Sequence, residues 1–340
     1  MASPKGMSSY PKMGKMKIIK YVLIATVLLL SACTKPEVKT GYVEVPTLTE
    51  HALSSVYTLL VPTSPTVKLY YEECGQGEPL ILLHEKAVDC RMWDAVFFQL
   101  AKKFRVIRYD LRGYGKSENP ELGYGYLCAD DLKNVMDALG IKKAHLAGLS
   151  MGGMTVTEFI ALYPEKVLTA TITSGAVNEY PNRSVMPKEI LKIYNDTVFA
   201  MKEKEVAQIK MRGMEAEKND WKTIMRSVSG EHYRAISERL NGMIDDWKAW
   251  QLLNPETDAF MGTQADSMLD KQKNKPPILL LIGQHDDNRT KKSMQRMAVL
   301  CPDAKIQFMP EAGHFTCMEM PDEFVAKMIT FIEDTKKKNN

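Results

Sequence analysis

The segment 148–153, with the sequence Gly-Leu-Ser-Met-Gly-Gly, joins two different kinds of predicted regular structure. An apolar run at 144–147 precedes it, and a stretch with helical spacing at 154–163 follows and stops at Pro164. Gly148 and Gly152 flank Ser150, and small residues there let the chain turn sharply without colliding with the neighbouring strand or helix. The pattern predicts a strand, a tight turn that holds Ser150 in a strained conformation, and then a helix.

Strand-like and helix-like segments alternate on both sides of this turn. Strands are predicted at 55–61, 67–72, 79–84, 104–110, 143–147, 167–173, 277–282 and 305–309. Helices are predicted at 91–103, 127–139, 291–300 and 322–334. This alternation indicates an α/β fold with a mostly parallel, doubly wound sheet, in which sites form beyond the carboxyl ends of the strands.

The alternation stops after the sixth predicted strand. Residues 176–274 show helical spacing without a clear strand, and they are rich in Met, Trp and charged residues. We interpret this insertion as a helical cap over the site. Its Met and Trp side chains either line an apolar substrate cavity or pack the cap helices together. Residues 55–175 and 275–335 then form the α/β core.

The amino terminus has a different character. Four lysines at positions 12, 15, 17 and 20 precede an apolar run at 21–30 and the sequence Leu30-Ser31-Ala32-Cys33. This order is typical of a secretory signal, and the end of it resembles a bacterial lipobox, which implies cleavage before Cys33 and lipidation of that residue. We expect residues 1–33 to be the signal, 34–54 to be a tether, and the protein to be exported and anchored to a membrane. An ordinary signal peptide or a short anchor helix are the alternatives.

Composition excludes several classes of function. The formal net charge is only +3 and no basic stripe is present, so nucleic acid is not an expected partner. The chain has six cysteines, and removing Cys33 leaves five that are widely spaced, which favours neither a disulfide framework nor a metal site. Cys317 either lines the site or is simply a small buried residue.

Ser150 needs a base, because a serine hydroxyl is a poor nucleophile near neutral pH. Among the six histidines, His314 is the one in a loop directly after the last predicted strand, where a catalytic base belongs. The base in turn needs an orienting carboxylate, and Asp286 follows the preceding strand, with Asp287 as the alternative. For either aspartate, capping of the helix near Thr290 is the structural alternative. Such a triad needs no metal or cofactor.

Four segments together resemble the α/β-hydrolase superfamily, in the branch with a helical cap, from about residue 67 to residue 331. They are Gly-Leu-Ser-Met-Gly-Gly at 148–153, Asp-Leu-Arg-Gly-Tyr-Gly-Lys-Ser at 110–117, Gly-Gln-His-Asp at 283–286 and Ala-Gly-His-Phe at 312–315. The first resembles enol-lactonases of the 3-oxoadipate type and small carboxylesterases. The resemblance implies cleavage of a carboxylic ester, a thioester or a lactone with an apolar substrate group. Asp110 and Arg112 are expected to brace the second segment as a hydrogen-bonded pair.

One segment departs from the family pattern. The family usually has His-Gly-x-Gly or His-Gly-x-Pro after the third strand, whereas this chain has Glu85 directly after His84, then Lys86. By resemblance, the oxyanion hole consists of the backbone N–H groups of Met151 and Lys86. Glu85 and Lys86 either keep this hole and place charges at the pocket mouth, or distort it. Alternatives to an ester hydrolase are therefore a binding protein with little activity, or perhydrolase or acyltransferase chemistry on the same triad.

Overall fold

The computed structural model describes residues 37–51, 65–121, 124–177, 186–254 and 263–339. The predicted signal at 1–33 and the predicted strand at 55–61 lie outside these ranges. Within them, no helix combines the length and the apolar character needed to cross a membrane.

Eight strands form one sheet in the order β1-β2-β4-β3-β5-β6-β7-β8. The strands are β1 (Lys39–Pro46), β2 (Thr66–Cys74), β3 (Pro79–Leu83), β4 (Arg105–Tyr109), β5 (Ala144–Leu149), β6 (Val167–Thr173), β7 (Ile278–Gly283) and β8 (Lys305–Met309). Strands β1 and β2 pair antiparallel, and β2 is also antiparallel to β4. From β4 to β8 every pairing is parallel. The predicted fold class is therefore confirmed.

The helices in the described ranges cover both faces of this sheet and form the insertion. They are α1 (Asp94–Leu100), α2 (Cys128–Ala138), α3 (Met151–Leu162), α4 (Lys188–Arg212), α5 (Met214–Val228), α6 (Tyr233–Asp246), α7 (Trp250–Leu253), α8 (Thr263–Lys271), α9 (Asn288–Leu300), α10 (Thr316–Glu319) and α11 (Pro321–Asn339). Helices α4 to α8 follow β6, in the stretch predicted to be the cap. The central strands are buried on both faces, as β5 and β7 show along their whole length, which explains their continuous apolar sequences.

Strand β1 corrects the prediction of a tether over 34–54. Residues Lys39–Pro46 pair with β2 at the edge of the sheet, from Lys39 opposite Glu73 to Pro46 opposite Thr66. Val43 and Val45 alternate with exposed residues and point into the core. An antiparallel edge strand needs only one buried face, so two inward side chains are enough to hold it.

Several Met and Trp side chains of the insertion pack within the protein. Met225, Met243 and Trp247 are buried, and Trp247 meets Trp221 edge to face with ring centroids 5.7 Å apart. Met201 and Met211 on α4 are instead exposed to solvent. For the three buried residues, the structure supports the packing interpretation.

Candidate active site

The turn between β5 and α3 has the predicted geometry. Ser150 lies at φ 52° and ψ −109°, a conformation that is strained for a residue with a side chain. A Cβ atom at Gly148 would lie 2.2 Å from the Gly152 carbonyl oxygen, and one at Gly152 would lie 2.2 Å from the Leu83 carbonyl oxygen. The two glycines are therefore required by close backbone approach, and together they allow the chain to reverse at Ser150.

His314 and Asp286 are in direct contact at the carboxyl ends of β8 and β7. His314 Nδ1 lies 2.9 Å from Asp286 Oδ1, and both side chains are almost completely buried. The same Asp286 oxygen accepts a hydrogen bond from the Asp287 N–H at 2.8 Å. Because a carboxylate can only accept, Nδ1 carries the proton and Nε2 is directed away from Asp286.

The pKa of His314 reflects three opposing influences. Burial by itself lowers this pKa, whereas the charge and hydrogen bond of Asp286, followed by those of Glu85, raise it. The net result is a His314 pKa well above the ordinary value. The two carboxylates therefore favour the imidazolium form of His314, which must lose a proton before it can act as a base.

The alternative residues named from the sequence have structural roles. Asp287 caps α9, because its carboxylate accepts hydrogen bonds from the Thr290 N–H at 2.8 Å and from the Thr290 hydroxyl at 3.0 Å. Cys317 is fully buried in a core cluster and carries a free thiol. Burial raises its pKa, so the thiol stays protonated. Of the two aspartates, Asp286 is the one whose carboxylate makes a hydrogen bond with the His314 ring.

Two contacts that sequence reasoning missed hold the His314 backbone. The Ser174 hydroxyl, just after β6, donates a hydrogen bond to the His314 carbonyl oxygen at 2.6 Å. The His314 N–H donates to the carbonyl oxygen of Val228, the last residue of α5, at 2.8 Å. A core loop and a cap helix therefore fix the same residue from its two sides.

Glu319 is a third feature that the sequence did not reveal. Its buried carboxylate accepts hydrogen bonds from the N–H groups of Gly313 at 2.9 Å and Phe315 at 3.0 Å, the two neighbours of His314. It also accepts from the N–H of Gly230, in the turn between α5 and α6, at 2.7 Å. Nothing in the local sequence signals this role, because all three donors are main-chain groups.

The Glu85 carboxylate lies inside the site rather than at the pocket mouth. Glu85 Oε2 accepts a hydrogen bond from the Met151 N–H at 3.2 Å and lies 3.7 Å from His314 Nε2. The Glu85 side chain is 6% exposed. The Met151 N–H, which is the expected oxyanion donor, and His314 Nε2 therefore both lie close to the same oxygen atom of Glu85.

The ring of His84 fixes the peptide between Glu85 and Lys86. The Leu111 N–H donates to His84 Nε2 at 2.9 Å, so Nδ1 carries the proton and donates to the Glu85 carbonyl oxygen at 2.7 Å. In a trans peptide the next N–H points the opposite way, so the Lys86 N–H is directed away from His84. Within the described ranges, no backbone acceptor is paired with this N–H.

The Lys86 side chain contacts a helix of the insertion. Its ammonium group lies 4.8 Å from the centroid of the Trp221 ring on α5, within the range of a cation–π contact. Burial lowers the Lys86 pKa, while the charges of Glu85, Glu205 and Glu217 oppose that shift. The Lys86 ammonium group and the Glu85 carboxylate, from adjacent residues, thus lie in different parts of the site.

The segment 110–117 is braced, but not by the expected pair. Arg112 binds Asp131 in a buried bidentate contact at 2.6 and 3.0 Å, while the Asp110 carboxylate accepts the N–H groups of Cys90 and Lys116. The prediction that Asp110 and Arg112 pair with each other is wrong. Arg112 is long enough to reach across to α2, where the buried Asp131 needs a compensating charge.

Two groups of side chains place metal-ligand atoms within 4.8 Å of one another in the described residues. They are Asp89, Cys90 and Asp110, and Asp286, Asp287 and His314. The carboxylates in both groups already bind protein donors, such as Arg91 for Asp89 and His314 for Asp286. Each carboxylate oxygen of the two groups accepts a protein hydrogen bond, except Asp286 Oδ2, which has no partner among the described residues.

Comparisons with known proteins agree with this architecture. AB hydrolase superfamily protein YisY of Bacillus subtilis is 41% identical over 127 residues, 36% of this chain and 47% of that protein, so this chain spans about half of its length. Carboxylesterase YbfK of the same species is 26% identical over 261 residues, which cover 74% of this chain and 79% of the esterase. Among solved structures, the enol-lactonase from Burkholderia xenovorans LB400 superposes with a TM-score of 0.61 at 22% identity, covering 78% of this chain and 97% of the lactonase.

A sequence profile of one protein family matches most of the α/β core and the inserted helices. The sequence profile of the family described as "alpha/beta hydrolase fold" matches residues 79–321, from the start of β3 to the start of α11. This range contains the Ser150 turn and the contact between His314 and Asp286. The chain is therefore a member of the alpha/beta hydrolase fold family.

Proposed function

We propose that this protein is a serine hydrolase that cleaves a carboxylic ester, a thioester or a lactone through an acyl-enzyme. Ser150 is the nucleophile, His314 the general base and then acid, and Asp286 the carboxylate that orients His314. The relatives support an ester or lactone substrate, since they include a protein named as a carboxylesterase and a structure described as an enol-lactonase.

In this mechanism, neutral His314 takes the proton of Ser150 through Nε2 as the serine oxygen attacks the substrate carbonyl carbon. The N–H groups of Met151 and Lys86 stabilise the oxyanion, and His314 returns the proton to the leaving group. Water, activated in the same way, then hydrolyses the acyl-enzyme. Asp286 keeps Nδ1 protonated throughout and stabilises the imidazolium that forms in each step.

The observation that carries the proposal is the shared contact of Glu85 Oε2. This atom lies 3.2 Å from the Met151 nitrogen and 3.7 Å from His314 Nε2. The free nitrogen of the histidine therefore faces the turn that contains Ser150, while Asp286 binds the other ring nitrogen at 2.9 Å. A base that faces a strained serine and is oriented by a buried carboxylate is the arrangement that acyl transfer requires.

Labelling with a fluorophosphonate probe tests the nucleophile. The wild type should label, and Ser150→Ala should not. Ser237→Ala is the matched control, because Ser237 is a half-buried serine on α6 whose hydroxyl binds only the Arg234 carbonyl within the described residues. Equal labelling of the wild type and Ser150→Ala contradicts the assignment.

A panel of substrates tests the class of reaction. Esters of graded acyl length, matching thioesters and a set of lactones should separate the three substrate types by kcat/KM. Turnover of at least one type, lost in Ser150→Ala, is the expected result. Turnover that persists in Ser150→Ala contradicts the mechanism.

A second candidate function is ligand binding with little turnover. The position of the Glu85 carboxylate favours it, because a negative charge beside the Met151 N–H opposes an oxyanion at the same place. Activated p-nitrophenyl esters distinguish the two candidates. Ligand binding without release of p-nitrophenol, at any pH, supports the second candidate and excludes the first.

We also propose that the protein is exported and lipidated at Cys33. The support is the sequence alone, since residues 1–36 lie outside the described ranges. Labelled palmitate should be incorporated by the wild type but not by Cys33→Ala, which should move to the soluble fraction. Cys301→Ala should behave like the wild type, and membrane association of Cys33→Ala contradicts the proposal.

A further inference from the structure

The Glu85 side chain occupies a hydrogen-bond donor, the Met151 N–H, that a substrate would need. Its Oε2 atom accepts the Met151 N–H at 3.2 Å and lies 3.7 Å from His314 Nε2. An oxyanion formed on Ser150 would require the same Met151 N–H group. A carboxylate oxygen resembles a carbonyl oxygen in size and in its ability to accept, so Glu85 and a substrate acyl group compete for this donor.

The contact is built into the fold. Glu85 is 5% exposed, its N–H contacts the Met92 sulfur at 3.3 Å, and its carbonyl oxygen accepts from the His84 ring at 2.7 Å. Among the described residues, Glu85 is not one of those with a positive φ. A glutamate therefore fits there without backbone strain, and its main chain is held on two sides.

The charge of Glu85 acts in the same direction as its position. A protonated His314 attracts the carboxylate, and the carboxylate in turn favours the protonated ring. A histidine that keeps its proton cannot accept one from Ser150. The Glu85 side chain therefore opposes the attack by Ser150 in two ways. It occupies the Met151 N–H, and it keeps His314 protonated.

We propose that Glu85 limits the reactivity of Ser150 toward acyl substrates, because its carboxylate occupies the place of the substrate carbonyl oxygen at the Met151 N–H. This inference rests on the proposed hydrolase function. In the wild type, a substrate must displace the carboxylate before it reacts. Removing the side chain leaves a hole that accepts a neutral acyl group, or an external carboxylate such as acetate.

The test uses Glu85→Gly, which introduces the glycine usual at this position of the family, and Glu85→Ala as a second variant that avoids the added backbone freedom of glycine. The rate constant for labelling of Ser150 by a fluorophosphonate, and kcat/KM for p-nitrophenyl acetate, should both rise by about tenfold or more in either variant. Glu333→Gln, an exposed glutamate on α11, should leave both values unchanged. Thermal unfolding shows which variants are folded.

Acetate provides a separate measurement on the same proteins. It should inhibit Glu85→Gly and Glu85→Ala competitively, with little effect on the wild type, whose own carboxylate fills the hole. Lower or equal reactivity of both folded variants, while Ser150 still labels in the wild type, overturns the role of Glu85 and leaves the hydrolase function standing. No Ser150-dependent labelling in any of the proteins contradicts the hydrolase function and the role of Glu85 together.

Discussion

Glu319 Oε2 accepts a hydrogen bond from the Gly313 N–H at 2.9 Å, one residue before His314. The carboxylate that holds the loop of the proposed base, His314, thus comes from α10, the helix that directly follows this loop. Its second oxygen accepts the Phe315 N–H at 3.0 Å. The histidine is therefore flanked by two backbone groups that one buried side chain fixes.

Glu319→Gln should reduce kcat by about tenfold with little change in KM, because the loss acts on the placement of His314 and not on substrate contacts. A glutamine places an NH₂ group where the backbone donors need an acceptor, so one contact becomes repulsive. Steady-state kinetics on an activated ester measure the two constants separately. Glu323→Gln, on α11 beside Lys327, is the matched control and should keep both constants. A rise in KM at constant kcat contradicts the positioning role.

Mutation should distinguish the catalytic role of Asp286 from the helix-capping role of Asp287. Asp286→Asn should lower kcat by about 10²- to 10⁴-fold, because the neutral amide no longer stabilises the imidazolium or fixes its tautomer. Asp287→Ala should cost about 1 kcal/mol of unfolding free energy through the lost helix cap, with activity close to that of the wild type. Kinetics and urea unfolding of both variants make the comparison. A catalytic loss confined to Asp287→Ala would reverse the assignment.

The pH profile should show a base with a raised pKa. Burial lowers the pKa of His314, whereas Asp286 and Glu85 raise it, and Asp287 is a further charged group near the ring. Activity needs the neutral ring, so kcat/KM should rise with pH through that pKa and be low below it. Glu85→Gln removes one carboxylate charge and should move the rising limb to lower pH. A limb at the same pH in both proteins rules out the influence of Glu85 on His314.

Gly152→Ala should destabilise the fold strongly, because its Cβ would lie 2.2 Å from the Leu83 backbone oxygen. The expected loss is about 2 kcal/mol or more of unfolding free energy, since β3 and α3 must move apart. Gly242→Ala on α6 is the matched control, because a Cβ atom there meets nothing within 4 Å. That change should stabilise by about 0.5–1 kcal/mol through the helix propensity of alanine. Denaturant titrations of the two variants should therefore shift in opposite directions.

The features predicted from the sequence are those that short segments encode. The strand, the turn at Ser150 and the following helix are local, and the continuous apolar runs of β5 and β7 identify buried parallel strands. His314 and Asp286 could be named because parallel strands end at the same edge of a sheet, although the choice between Asp286 and Asp287 needed coordinates.

The features that escaped prediction depend on contacts between distant segments. Strand β1 has only two inward side chains, Val43 and Val45, so its sequence lacks the apolar run that identifies the central strands. The direction of Glu85 depends on Met151, at the start of α3, and on His314, in the loop after β8. Glu319 binds only main-chain groups, and main-chain donors leave no trace in the residue types of a sequence.

The bond from the His314 N–H to the Val228 carbonyl has a consequence for how a substrate reaches Ser150. Val228 ends α5, so an outward displacement of this end of the helix would pull directly on the backbone of the proposed general base. We therefore expect a movement of the insertion that admits substrate without disturbing His314 to leave the end of α5 in place.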